Sequence, residues 1–94
     1  MRRWFRRSSD QYRPLLTPHQ FVWMLCYPDG KAWTVLTPSV VPDDLSDGTT
    51  FWDTRMRVLV EVVCDKKVHV WMLDDDGRYD EAQRSEMLLI RQPT

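Results

Sequence analysis

Residues 55–74, RMRVLVEVVCDKKVHVWMLD, are the stretch whose reading decides the fold. Met56, Val58, Val60, Val62 and Cys64 recur at every second position, and Val68, Val70 and Met72 resume the rhythm after Asp65-Lys66-Lys67. A period of two is the mark of one face of a pleated strand, so the stretch reads as a β-hairpin. A three-residue loop sets Cys64 opposite Val68, Val62 opposite Val70 and Val60 opposite Met72. All the aliphatics then share a face, and Arg55, Arg57, Glu61 and His69 point the other way with Leu59, Val63, Trp71 and Leu73. A two-residue loop pairs Val60 with Trp71 and Val62 with His69, which splits the aliphatic set. A slip of one residue flips a whole strand, so the three-residue register is predicted, although Lys67 stands where such loops favour glycine.

The second hairpin lies upstream. Gln20–Tyr27 and Lys31–Thr37 are strand-like, and Pro28-Asp29-Gly30 between them has the residues a tight turn demands. The register pairs Tyr27 with Lys31, Leu25 with Trp33 and Trp23 with Val35. One face then carries Phe21, Trp23, Leu25, Tyr27, Trp33 and Val35; the other carries Val22, Met24, Cys26, Ala32, Thr34 and Leu36. Neither face is polar, so both require cover.

Ninety-four residues make a single domain. Its net charge of −1 is unevenly spread: residues 1–16 carry five Arg and one Asp, whereas residues 17–94 carry eight Lys/Arg and thirteen Asp/Glu. The chain divides into a basic arm, 1–16, and an acidic β-rich body, 17–94. Within the arm Met1, Trp4, Phe5, Ser8 and Tyr12 fall inside an arc of about 120° on a helical wheel, and Pro14 ends the pattern, which predicts an amphipathic helix. Arg2-Arg3-Trp4-Phe5 resembles part of a twin-arginine export signal. Ser8, Ser9, Asp10 and Gln11 stand where its apolar segment belongs, so no export is expected.

Residues 38–54, PSVVPDDLSDGTTFWDT, read as a long connection, with a helical turn at Asp43-Asp44-Leu45 and with Phe51 and Trp52 pinning its far end. Asp74-Asp75-Asp76-Gly77 is another turn. Residues 79–92 suit helix or strand, and Met87 to Ile90 tip the reading to a strand over 86–92. The predicted class is α+β: an N-terminal helix packed on a four- to five-stranded antiparallel sheet built from two hairpins.

Catalysis finds little support: His19 follows Pro18 in a connector, His69 sits mid-strand beside Trp71, no serine or cysteine shows a local nucleophile signature, and no glycine-rich loop is present to hold phosphate. The acidic run fails as a calcium loop, because position 1 falls on Met72 and position 12 on Gln83 when counted around Gly77. Cys26, Cys64, His19 and His69 have no paired zinc spacing. No metal, cofactor or enzymatic activity is expected. Two cysteines on apolar strand faces read as buried free thiols in a reducing, cytoplasmic setting.

Five tryptophans, Trp4, Trp23, Trp33, Trp52 and Trp71, are many for so small a core. Aromatic side chains are the usual anchors of protein interfaces. The expected function is therefore non-catalytic: a small interaction protein that binds and modulates or inhibits a protein partner, such as a nucleic-acid-processing complex, as accessory proteins of viruses and mobile elements do. Phe21, Trp23, Tyr27, Trp33 and Trp71 form the expected aromatic contact face, to another protein or to a second copy of the chain. Asp43, Asp44, Asp47, Asp74, Asp75 and Asp76 supply acidic loops that steer basic partners to it. One alternative is nucleic-acid binding through Arg2, Arg3, Trp4, Arg6 and Arg7, with phosphates neutralised and bases stacked. Another is a structural subunit of a larger assembly. Membrane attachment by the arm is the least favoured reading.

Overall fold

The structure is a computed structural model that describes residues 21–93. Its strands are β1 (Phe21–Cys26), β2 (Ala32–Val35), β3 (Thr50–Asp53), β4 (Val58–Cys64), β5 (Lys67–Met72) and β6 (Arg84–Pro93). They form one antiparallel sheet in the order β2-β1-β6-β5-β4-β3, curved into a half-barrel. The two hairpins are present, and β6 runs between them as the strand that joins them.

The expected α+β class is corrected. Among the described residues the only helical element is a 3-10 turn, Pro38–Val40, and the sheet has six strands in place of four or five. The amphipathic helix expected over residues 1–16 lies outside the described residues. The sixth strand is β3, which comes from the expected long connection. Four residues are too few to show a period, and Asp53 at the end of β3 disguises a core-facing position as a loop residue. The connection itself does the covering that was expected of a helix. Leu36, Val40, Val41 and Leu45 fold over the concave face and pack with Leu25, Phe51, Val58, Val60, Val62, Val68, Val70, Met87 and Leu89.

Both hairpin registers differ from expectation, for one physical reason. In β4–β5 the turn is Asp65-Lys66, and Val62 pairs with Val68, Val60 with Val70 and Val58 with Met72. A bulge between Val62 and Cys64 absorbs the one-residue slip that a two-residue turn imposes, so the valines keep a common face. Asp65 takes φ of 49°, a conformation that aspartate tolerates better than most residues. Lys67 is then the first residue of β5 and needs no glycine. Beyond the bulge Cys64 turns outward and is exposed, while Cys26 is buried; both thiols are free. Met72 shares the valine face but is 54% exposed, because it sits at the uncovered end of β5.

In β1–β2 the turn forms as expected: the Gly30 amide donates to the Tyr27 carbonyl at 2.8 Å, and the Tyr27 amide to that of Lys31 at 2.8 Å. A bulge next to Cys26 then makes Trp33 an extra residue. Leu25 consequently pairs with Thr34 and Met24 with Val35, and the Leu36 amide bonds to the Trp23 carbonyl. The shift moves Leu36 onto the Leu25 side, where it is wholly buried.

The two edge strands are tied together by Asp53, the one buried charged residue among the described residues. One carboxylate oxygen accepts from the Thr37 amide at 2.7 Å; the other accepts from the Met56 amide at 3.0 Å and the Thr37 hydroxyl at 3.2 Å. Arg55 Nε donates to the same hydroxyl at 2.9 Å. Thr37 lies two residues beyond the end of β2 and Met56 two residues before β4, so this carboxylate closes one end of the half-barrel. Burial alone raises the Asp53 pKa, but the Thr37 and Met56 amides, the Thr37 hydroxyl and the Arg55 charge outweigh it. The net effect is a carboxyl held below its ordinary range.

Candidate protein-interaction surface

The valines of β4 and β5 take the concave face, so every second residue between them is forced to the convex one. Trp52, Leu59 and Trp71 fall in one cross-strand row there, because Trp52 pairs with Leu59 and Leu59 with Trp71. Leu59, Trp71 and Leu73 form a small second core on this side of the sheet.

The loop between β5 and β6 folds back over that row. Asp74 organises it: its carboxylate accepts from the Asp76 amide at 2.9 Å and the Arg78 amide at 2.8 Å, and its own amide donates to the Arg78 carbonyl at 2.8 Å. Gly77 supplies the left-handed residue that so tight a loop needs, with φ of 77°. Asp80 then accepts from the Ala82 amide at 3.0 Å. Trp71 Nε1 donates to the Glu81 carbonyl at 3.2 Å, fastening the loop to the sheet.

This folding lays Tyr79 between two tryptophans. Its ring centroid lies 5.9 Å from that of Trp52, edge-on, and 5.7 Å from that of Trp71. Both separations fall within the range of attractive aromatic pairs. Trp71 is buried beneath, whereas Trp52 is 45% exposed and Tyr79 is 37% exposed. Residues 74–83, the loop that carries Tyr79, hold five carboxylates, against Arg78 alone. Arg57 pairs with Asp75 across the edge of the patch. Further along the same face His69 Nδ1 lies 3.3 Å from Glu61 Oε1, and its ring is 6.1 Å from that of Trp71.

The residues expected to make a single aromatic face are distributed over separate places. Phe21 and Trp23 sit at the open end of the concave face, with the Arg91 guanidinium 4.5 Å and 5.8 Å from their ring centroids. They line a cleft of about 500 Å³ with Pro38, Pro42 and Asp43. Tyr27 is exposed at the β1–β2 turn, and Trp33, at the bulge, packs partly against the core. Trp71 belongs to the convex patch. Of the acidic positions, Asp74, Asp75 and Asp76 are exposed in the loop that carries Tyr79, Asp43 lines the cleft, and Asp44 and Asp47 are exposed in the covering loop. Asp44 accepts there from the Ser46 amide at 3.1 Å. Arg2, Arg3, Trp4, Arg6 and Arg7 lie outside the described residues.

Trp52 and Tyr79 were not among the expected contact residues. The signal for Trp52 was present in Thr50-Phe51-Trp52-Asp53, where alternation turns Trp52 outward once Phe51 is placed in the core. Tyr79 gives no local signal, since its position depends on how the Asp74 loop closes. Among the described residues, no group of three or more His, Cys, Asp or Glu side chains is arranged to hold a metal ion. No helix among them is long and apolar enough to cross a membrane. In comparisons with protein families, curated proteins and solved structures, no family model, curated protein or solved structure matches the chain.

Proposed function

We propose that this protein is a non-catalytic interaction module that acts by docking to another protein and modulating or inhibiting it. The observation that carries the reading is the Trp52–Tyr79 pair, exposed on a sheet face yet held in place by Trp71 and by a hydrogen-bonded loop. A large aromatic surface that is already ordered loses little side-chain entropy on binding, which is why Trp and Tyr dominate interface hot spots. The carboxylates of the loop that carries Tyr79 favour a partner with a basic surface, such as a protein that handles nucleic acid, and speed the encounter. The free thiols of Cys26 and Cys64 suit a cytoplasmic setting.

The test is capture of partners from host extract by the wild-type protein and by the Trp52→Ala/Tyr79→Ala double variant, each also measured by sedimentation. The reading expects one or a few proteins, or a second copy of the chain, to be held by the wild type and lost by the double variant. Equal capture by both proteins, with the variant still folded, contradicts it.

A further inference from the structure

The patch also has a chemical preference that narrows what docks on it. Two exposed aromatic rings offer negative π-faces, and the loop that carries Tyr79, residues 74–83, holds five carboxylates, of which Asp75 is paired with Arg57, against Arg78 alone. We infer that Trp52 and Tyr79 form a receptor for arginine side chains, and that the docking element is an arginine-rich segment of the partner. This rests on the protein-docking reading above and names the chemistry of its contact.

The argument for arginine over any other cation is geometric. A guanidinium is planar and weakly hydrated, so it lies flat on an indole or phenol ring while its edge N–H groups remain available to carboxylates. An ammonium is a compact, strongly hydrated charge that gains less from a ring face. The same chain displays the contact in its own cleft, where Arg91 lies over Phe21 and Trp23. At the convex patch Arg57 is engaged with Asp75, and neither Arg78 on the loop nor Arg84, opposite Trp71 on β6, is stacked over the ring of Trp52 or Tyr79. Trp52 and Tyr79 stay 45% and 37% exposed, and the net negative loop that carries Tyr79 is complementary to a basic segment. An apolar or acidic segment would strip water from those carboxylates or face them with like charge, and gain nothing in return.

The experiment titrates the full chain with an octa-arginine peptide and with an octa-lysine peptide of equal charge, at low salt. Binding is followed by the NMR signals of the tryptophan indole N–H groups, with the Trp52 signal identified by its loss in Trp52→Ala. Octa-arginine is expected to bind about tenfold more tightly than octa-lysine and to move the Trp52 indole signal. Trp52→Ala/Tyr79→Ala keeps every charge and is expected to bind octa-arginine about tenfold more weakly, erasing the preference. Should the double variant fail to fold, Trp52→Leu, which keeps an apolar side chain, is expected to lose most of the preference. Asp76→Asn/Glu81→Gln is expected to weaken both peptides and to flatten the salt dependence. Equal affinity for the two peptides, or unchanged octa-arginine binding in the aromatic variant, overturns the inference. If partner capture depends on Trp52 and Tyr79 while the arginine preference is absent, the docking reading stands and only the arginine reading falls.

Discussion

Replacing Asp53 by alanine should be among the costliest single changes to the polar structure of this domain. The carboxylate is fully buried and accepts three hydrogen bonds, two of them from the backbone amides of Thr37 and Met56 at 2.7 and 3.0 Å. In Asp53→Ala both amides lose their acceptor, and an unsatisfied buried donor costs about 1–3 kcal/mol. Two such groups give a loss of about 3–4 kcal/mol, a large fraction of the stability of a small domain, which is commonly about 5–15 kcal/mol. Asp53→Asn keeps one acceptor oxygen and should lose about half as much. The assay is urea denaturation followed by tryptophan fluorescence, in which the midpoint should fall and the slope should stay constant. Thermally, a loss of 3 kcal/mol corresponds to a drop of roughly 10–25 °C in Tm for a domain of this size. The sign of the pH effect follows from the same bonds. The folded pKa lies below the unfolded value, so the stabilisation is complete above the unfolded pKa and is lost as pH falls through the folded one. Wild type should therefore lose stability on acidification below about pH 4, and Asp53→Asn should show a flatter profile there. A loss under about 0.5 kcal/mol in Asp53→Ala would refute the claim that this carboxylate closes the half-barrel.

Val60 is fully buried in the middle of the concave face, so Val60→Asp should abolish cooperative unfolding, as judged by circular dichroism and a thermal melt. Asp65 sits at φ of 49°, and Asp65→Val should cost about 1–2 kcal/mol in urea denaturation while Asp65→Gly costs little or nothing. A chromogenic disulfide reagent should modify Cys64 rapidly in the native protein and Cys26 only after unfolding; two fast thiols would contradict the outward turn at the β4 bulge.

Much of the sheet was legible in the residue pattern. The period of two in Val58-Val60-Val62 and Val68-Val70 identified both strands of the central hairpin and their buried face, because alternation is a local property of a pleated chain. Pro28-Asp29-Gly30 located the first turn for an equally local reason, and Met87 to Ile90 marked the final strand. What periodicity does not encode is an extra residue. Each bulge inserts one, at Val63 and at Trp33, and so changes which residues pair without disturbing the pattern on either side. The exposure of Cys64 and the burial of Leu36 follow from those two insertions. Tertiary structure alone decided the cover of the concave face, which residues 36–45 supply through non-local packing. It alone made a strand of Thr50–Asp53, which is held by β4 on one side and by Thr37 at its end. The convex patch is a product of the same kind. Trp52, Trp71 and Tyr79 stand far apart in the chain, and they meet only because strand pairing aligns the first two and a hydrogen-bonded loop lowers the third between them.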